Sequence, residues 1–62
     1  MKYLVTLSND YTHERYHEWA QTDRDLSRIV SRITEGMKDG DTMIVTDVET
    51  GRLQQERRKV VA

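Results

Sequence analysis

Two histidines and a glutamate near the start of the chain have the spacing of a zinc-binding motif. His13, Glu14 and His17 read H-E-x-x-H, which on a helix puts both imidazoles on one face and lets the glutamate activate a metal-bound water. On a strand the two histidines would lie about 13 Å apart, too far to share a metal ion. The sequence indicates no third ligand and no substrate cleft. A zinc site is therefore a remote alternative, and we expect no catalytic residue, no metal and no cofactor.

A row of arginines at helical spacing is the second candidate for chemistry. Arg24, Arg28 and Arg32 would share one helix face and could follow the phosphates of a nucleic acid, because guanidinium groups present a fork of donors to anionic oxygens. A plain solvated helix face would look the same, and Asp25 and Glu35 stand close enough to neutralise part of the charge. We interpret the row as a solvated face and keep nucleic acid as the alternative.

A basic run near the C-terminus is the third candidate. Charged residues on an edge strand guard against edge-to-edge aggregation, which is the simpler interpretation of Arg57, Arg58 and Lys59. In the alternative interpretation the run continues the basic surface of the helix. The possible anion-binding set is then Arg24, Arg28, Arg32, Arg57, Arg58 and Lys59.

Composition limits the classes of function. The chain has 62 residues, with 10 Lys and Arg against 11 Asp and Glu and a net charge of −1, so it lacks the basic excess typical of a nucleic-acid-binding domain. Without cysteine it has neither disulfides nor thiolate ligands. The apolar run at the start is too short for a signal peptide or a membrane span. We expect a cytoplasmic protein with a small, marginally stable core, for which a partner or a homodimer would add stability.

The first half of the chain is predicted to form a hairpin and a helix. Residues 2–7 alternate as a strand, with Tyr3, Val5 and Leu7 on one face. Residues 13–21 have mixed propensities; we prefer a second strand and leave a helix as the alternative. Thr22 can cap the following helix, and Asp25 can complete a capping box. The apolar stripe of this helix consists of Leu26, Ile29, Val30, Ile33 and Met37, and we prefer Gly40 to Gly36 as its end.

The second half is predicted to form another hairpin. Residues 41–48 read as a buried strand. Residues 48–52 read as a turn in which Gly51 takes a positive φ within a three-residue loop. That loop would pair Val48 with Arg52, Val45 with Gln55 and Met43 with Arg57. Residues 52–61, mostly polar, would be an edge strand.

These elements predict a single small domain, residues 1–62, of the α+β class. The order is ββαββ, a four-stranded antiparallel sheet with one helix packed on one face. The other sheet face has no second layer in this arrangement. It would meet either water or another protein.

The aromatic residues indicate where a partner could bind. We expect Tyr3 and Trp19 to anchor the core, while Tyr16 falls on the opposite side of its strand from Trp19. Whichever of the two lies on the uncovered face would join Ile44, Thr46 and Val48 as the candidate partner-binding residues.

We therefore expect a non-catalytic protein-binding module, an accessory, regulatory or inhibitor-type protein acting through its sheet face or edge strand. Small chains of this kind are common in phages and mobile elements, which is an association and not a derivation. Its partner would be another protein or a second copy of itself. A nucleic-acid-binding module is the alternative, and we expect no membrane contact.

Overall fold

The computed structural model describes residues 2–60. Along the chain it has β1 (Tyr3–Asn9), β2 (Arg15–Ala20), α1 (Asp23–Glu35), β3 (Asp41–Asp47) and β4 (Leu53–Arg58). The strands form one antiparallel sheet in the order β2-β1-β3-β4. The predicted α+β class, the ββαββ order and the strand at β2 are confirmed. No helix among these residues is long and apolar enough to cross a membrane.

The core lies between α1 and one face of the sheet. Residues opposite each other in an antiparallel pair point to the same face, so the alternation of β1 and β3 puts Val5, Met43 and Val45 under the helix, where none is exposed. Ile29 and Ile33 of α1 complete the centre of this cluster. The apolar stripe predicted for the helix is therefore the stripe that it buries.

The helix begins where its capping residue predicts but ends earlier than we expected. The Thr22 hydroxyl accepts a hydrogen bond from the Asp25 amide at 3.1 Å, which satisfies one free donor of the first turn. At the other end Gly36 is the C-cap, and the preference for Gly40 was wrong. Met37 is buried all the same, because it reaches the core from the loop and does not need the helix to continue.

Asn9 holds together the two loops at one end of the sheet. Its side-chain oxygen accepts from the amides of Tyr11 (2.8 Å) and Thr12 (2.9 Å) in the β1–β2 turn. Its side-chain nitrogen donates to Asp41 Oδ1 at 2.8 Å, while Asp41 Oδ2 accepts from the Lys38 amide at 2.8 Å. The Lys38 amide and the Asn9 side chain hold the pKa of Asp41 below its ordinary value. One amide side chain thus fixes the exit from β1 and the entry to β3.

The β3–β4 hairpin agrees with prediction in part. Val45 pairs with Gln55 and Met43 with Arg57, and Gly51 has a φ of 72°, all as predicted. The three-residue loop was wrong, because the Asp47 amide donates to the Arg52 carbonyl at 2.8 Å and leaves residues 48–51 as the loop. This loop sets Asp47 opposite Arg52, one residue out of step with the Val45–Gln55 pair. The register shift between Val45 and Thr46 accounts for that one-residue difference.

Candidate functional site: the open face of the sheet

The sheet face turned away from α1 carries three rows of side chains. Strand register defines them, because residues opposite one another share a face. The apolar row is Trp19, Leu4, Thr46 and Leu53, which the register shift after Val45 sets opposite Thr46. The middle row is His17, Thr6, Ile44 and Glu56. The polar row is Arg15, Ser8, Thr42 and Arg58. One end of this open face is therefore apolar and the other is basic.

The apolar row exposes large side chains that the core does not use. Trp19 is 42% exposed and Leu53 is 58% exposed. Leu4 is half-buried and lies outside the core cluster. Val48, in the turn that follows β3, is 43% exposed. Within residues 2–60 nothing forms a second layer over this row.

Trp19 and Tyr16 lie on opposite sides of β2, as predicted, but the prediction that Trp19 anchors the core was wrong. Trp19 stands opposite Leu4, on the open face, whereas Tyr16 stands opposite Leu7, on the helix side. Tyr3 is buried as expected. Of the predicted partner-binding residues, the structure brings Trp19, Ile44 and Thr46 together on the open face.

Tyr16, the remaining aromatic candidate, belongs to a cluster that fastens α1 to β2. Its hydroxyl donates to Glu18 Oε1 at 2.9 Å, and the Arg32 guanidinium forms an ion pair with Glu18. Arg32 and the Tyr16 hydroxyl hold the pKa of Glu18 below its ordinary value. The chemistry of this cluster is structural, since its groups satisfy one another.

The row of helix arginines is only partly free to bind an anion. Arg32 pairs with Glu18 and not with Glu35, so that expectation was wrong, while Arg28 pairs with Asp25 at 3.5 Å as predicted. Arg24 is exposed and has no ion pair among residues 2–60.

The C-terminal basic residues do not share one face either. Arg57 stands opposite Met43 on the helix side and Arg58 opposite Thr42 on the open face. Lys59 follows the strand, and its amide donates to the Asp41 carbonyl at 3.0 Å. Because α1 packs on β1 and β2 while β4 lies at the other edge, strand order does not join the two basic groups into one surface.

The H-E-x-x-H segment does not have the geometry of a helical metal site. His13 lies in the turn before β2, with a φ of 60°, and His17 lies within β2. Among residues 2–60 there is no group of three potential ligands that could hold a metal ion. With His13 in the turn and His17 in the strand, the two histidines do not lie one helical turn apart, which is the arrangement that the motif needs.

Concave regions gather where β1 and β2 meet the turn between them. One of about 300 Å³ is lined by Thr6, Leu7, Ser8, Arg15, Tyr16 and His17. Two neighbours, of about 280 Å³ and 230 Å³, also include Ser8 and Arg15. Sequence reasoning missed Ser8, Arg15, Leu4 and Leu53. The alternation of residues along each strand was the available signal. Alternation alone does not show which residues of neighbouring strands lie side by side, because that depends on the register between the strands.

Comparison of the chain with protein-family models, with curated proteins and with solved structures gives no match.

Proposed function

We propose that this chain is a small non-catalytic binding module, of accessory, regulatory or inhibitor type, that holds another protein against the apolar row of its open face. The supporting observation is the exposure of Trp19 and Leu53, 42% and 58%, in one row with Leu4 and Thr46. Tryptophan in particular is enriched among the residues that dominate binding energy at protein interfaces.

The chemistry of the face suits a protein partner. An interface core is depleted in charge and surrounded by a polar rim. Here the apolar row has no charged member, and the middle row beside it supplies His17 and Glu56 at the two edges of the sheet. The helix offers no comparable surface, because its outer face is charged and two of its arginines are paired with acidic side chains.

A partner of different sequence fits this surface better than a second copy. The apolar row and the polar row lie about 13 Å apart along the strands. A two-fold axis perpendicular to the strands, through the middle of the face, would set arginines of one copy against the apolar row of the other. A two-fold axis parallel to the strands would pair the apolar rows, but it would also set Arg15 of one copy against Arg58 of the other, and like charges opposite each other are unfavourable. An axis along the apolar row itself would bring only a strip about 14 Å long into contact, short of the roughly 800 Å² per partner of a stable interface.

The proposal includes a cytoplasmic site of action, which fits a chain without cysteine. Strand addition at the edge of β4 is not part of the proposal, because the exposed side chains of β4 other than Leu53 are polar or charged. Such side chains discourage strand addition.

Capture from the native cell, followed by direct titration of the purified partner, tests the proposal. Leu53→Glu and Trp19→Glu should each abolish binding, because each puts a charge into the contact. The matched control is the double variant Arg24→Glu with Arg28→Glu, which changes the helix face and should leave binding nearly intact. Melting temperatures of all variants show whether the fold is retained.

Two results would contradict the proposal. Binding that survives both apolar-row changes and is lost in the arginine variant would move the site to the helix and favour an anionic partner such as nucleic acid, recognised by its steep salt dependence. A dimer in sedimentation that Leu53→Glu dissociates would replace the foreign partner with a second copy.

A further inference from the structure

The basic end of the open face carries donor groups that the fold itself does not use. Arg15 forms no ion pair within residues 2–60. The hydroxyl of Ser8 and the imidazole of His17 likewise make no side-chain hydrogen bond among these residues. All three side chains line the concave region of about 300 Å³ on β1 and β2.

Strand register brings these three groups close together. Asn9 and Glu14 are hydrogen-bonded across the two strands, at 3.0 Å, so the next pair, Ser8 and Arg15, is of the type whose Cα atoms are about 4.5 Å apart. His17 lies on the same face two residues further along β2, at a spacing of about 7 Å.

The described residues that line the concavity include one arginine and no acid, which favours an anion. The acidic residue of β2, Glu18, is on the helix side and paired with Arg32. Glu56 shares the open face but lies on β4, three strands from β2, which is about 14 Å away. Asp10, Glu14 and Asp41 are nearer, but they line the two neighbouring concavities and not this one, whose lining within residues 2–60 includes no acidic residue. Thr6 forms part of the wall, because its hydroxyl already donates to the Ile44 carbonyl at 3.4 Å.

We infer that this concavity is a binding site for a phosphate-type oxyanion, held by Arg15, Ser8 and His17. Donors on three side chains suit an anion with three or more acceptor oxygens better than a carboxylate, whose two oxygens a single guanidinium can satisfy. The site lies at the end of the open face opposite Trp19, so it does not depend on the proposed protein partner.

Titration with inorganic phosphate at constant ionic strength, followed by amide NMR, tests the inference. The amide signals of Ser8, Arg15 and His17 should shift and saturate. Arg15→Gln should weaken binding about tenfold or more, the loss expected for a charged hydrogen-bonding partner. Ser8→Ala should weaken it less. Arg15 is exposed and unpaired among the described residues, so the spectrum of Arg15→Gln should otherwise match the parent.

Arg57→Gln is the matched control, because Arg57 is also an edge-strand arginine but lies on the helix side, opposite Met43. It should leave phosphate binding unchanged. Amide signals that shift linearly with phosphate concentration at every arginine, and that still shift in Arg15→Gln, would overturn the site. Equal binding of acetate would overturn the assignment to phosphate and make the ligand a carboxylate. Loss of phosphate binding with retained protein binding, or the reverse, separates this inference from the proposed function.

Discussion

β2 and β4 form the two edges of the same sheet, but they are held in place by different contacts. β2 contributes Ala20, which is fully buried, to the core. It is also fastened to α1 through the contacts of Glu18 and Tyr16 with Arg32. The core cluster has no member from β4, where only Gln55 is half-buried. Backbone pairing with β3 and the turn before it hold β4 in place.

The difference matters for the open face, because the apolar row draws on both edges. Trp19 comes from the strand that α1 secures, and Leu53 from the strand that only its neighbour secures. Segments with few buried apolar contacts open at lower free energy than the rest of a domain. A partner on this row would therefore contact one firm strand and one loosely held strand.

The largest expected effect on stability comes from removing a core side chain that packs between α1 and the sheet. Ile33→Ala should lower the free energy of unfolding by about 2–5 kcal/mol, enough to unfold much of so small a domain. Ile44→Ala is the matched control, because Ile44 is a half-buried residue of the open face outside the core cluster. Urea unfolding measures both. Equal losses would mean that the open face is as well packed as the helix side.

The fold could be predicted because local signals agreed with one another. Alternation at Tyr3, Val5 and Leu7, the Thr22 cap and the stripe through Ile29 and Ile33 each indicate an element without reference to the rest. Chain order and short connections then leave few sheet topologies. The prediction of the helix end was wrong because Met37 is apolar and stands at helical spacing. Spacing alone does not distinguish the last helical turn from a loop that reaches the core.

The site could be predicted only in part, because a face depends on the register between strands. A slip of one residue exchanges the two faces of a strand. The β1–β2 turn includes His13 at positive φ, a conformation that side chains with a Cβ seldom take, and it puts Trp19 opposite Leu4 on the open face. The pairing of Arg32 with Glu18 was missed for a related reason, since rules for neighbours on a helix do not indicate what lies beneath it.

The next largest effect concerns the loosely held edge. Gly51→Val should destabilise the protein by on the order of 1 kcal/mol or more, since Gly51 has a φ of 72° that a β-branched residue resists. No atom lies within 4 Å of a Cβ added there, so the loss is one of backbone conformation and not of space. Thermal unfolding measures it.

Asparagine tolerates this backbone region, so Gly51→Asn is the matched control and should lose much less. Hydrogen exchange of the two variants sharpens the comparison of edges: Gly51→Val should speed exchange in β4 more than in β2. Equal melting points for valine and asparagine would show that the turn does not require the left-handed conformation.

The smallest effect is expected at the contact that secures the other edge. Arg32→Gln removes the partner of Glu18, and because the Arg32 side chain is 61% exposed, the melting temperature should fall by a few degrees at most. Amide exchange should nevertheless become faster in β2 and stay unchanged in β4. Arg28→Gln is the matched control, because it breaks an exposed pair within the helix and should alter neither strand.

The pH dependence of this small effect identifies its origin. Since Arg32 and Tyr16 lower the pKa of Glu18 in the folded state, the unfolded chain takes up the proton first as pH falls. The stability from this contact is therefore present above the unfolded pKa of about 4.3 and is lost as pH falls through the lower folded value. Melting temperatures of the parent and Arg32→Gln should converge on acidification. A difference that persists well below that range would mean that Arg32 secures β2 through packing of its aliphatic stem and not through its charge.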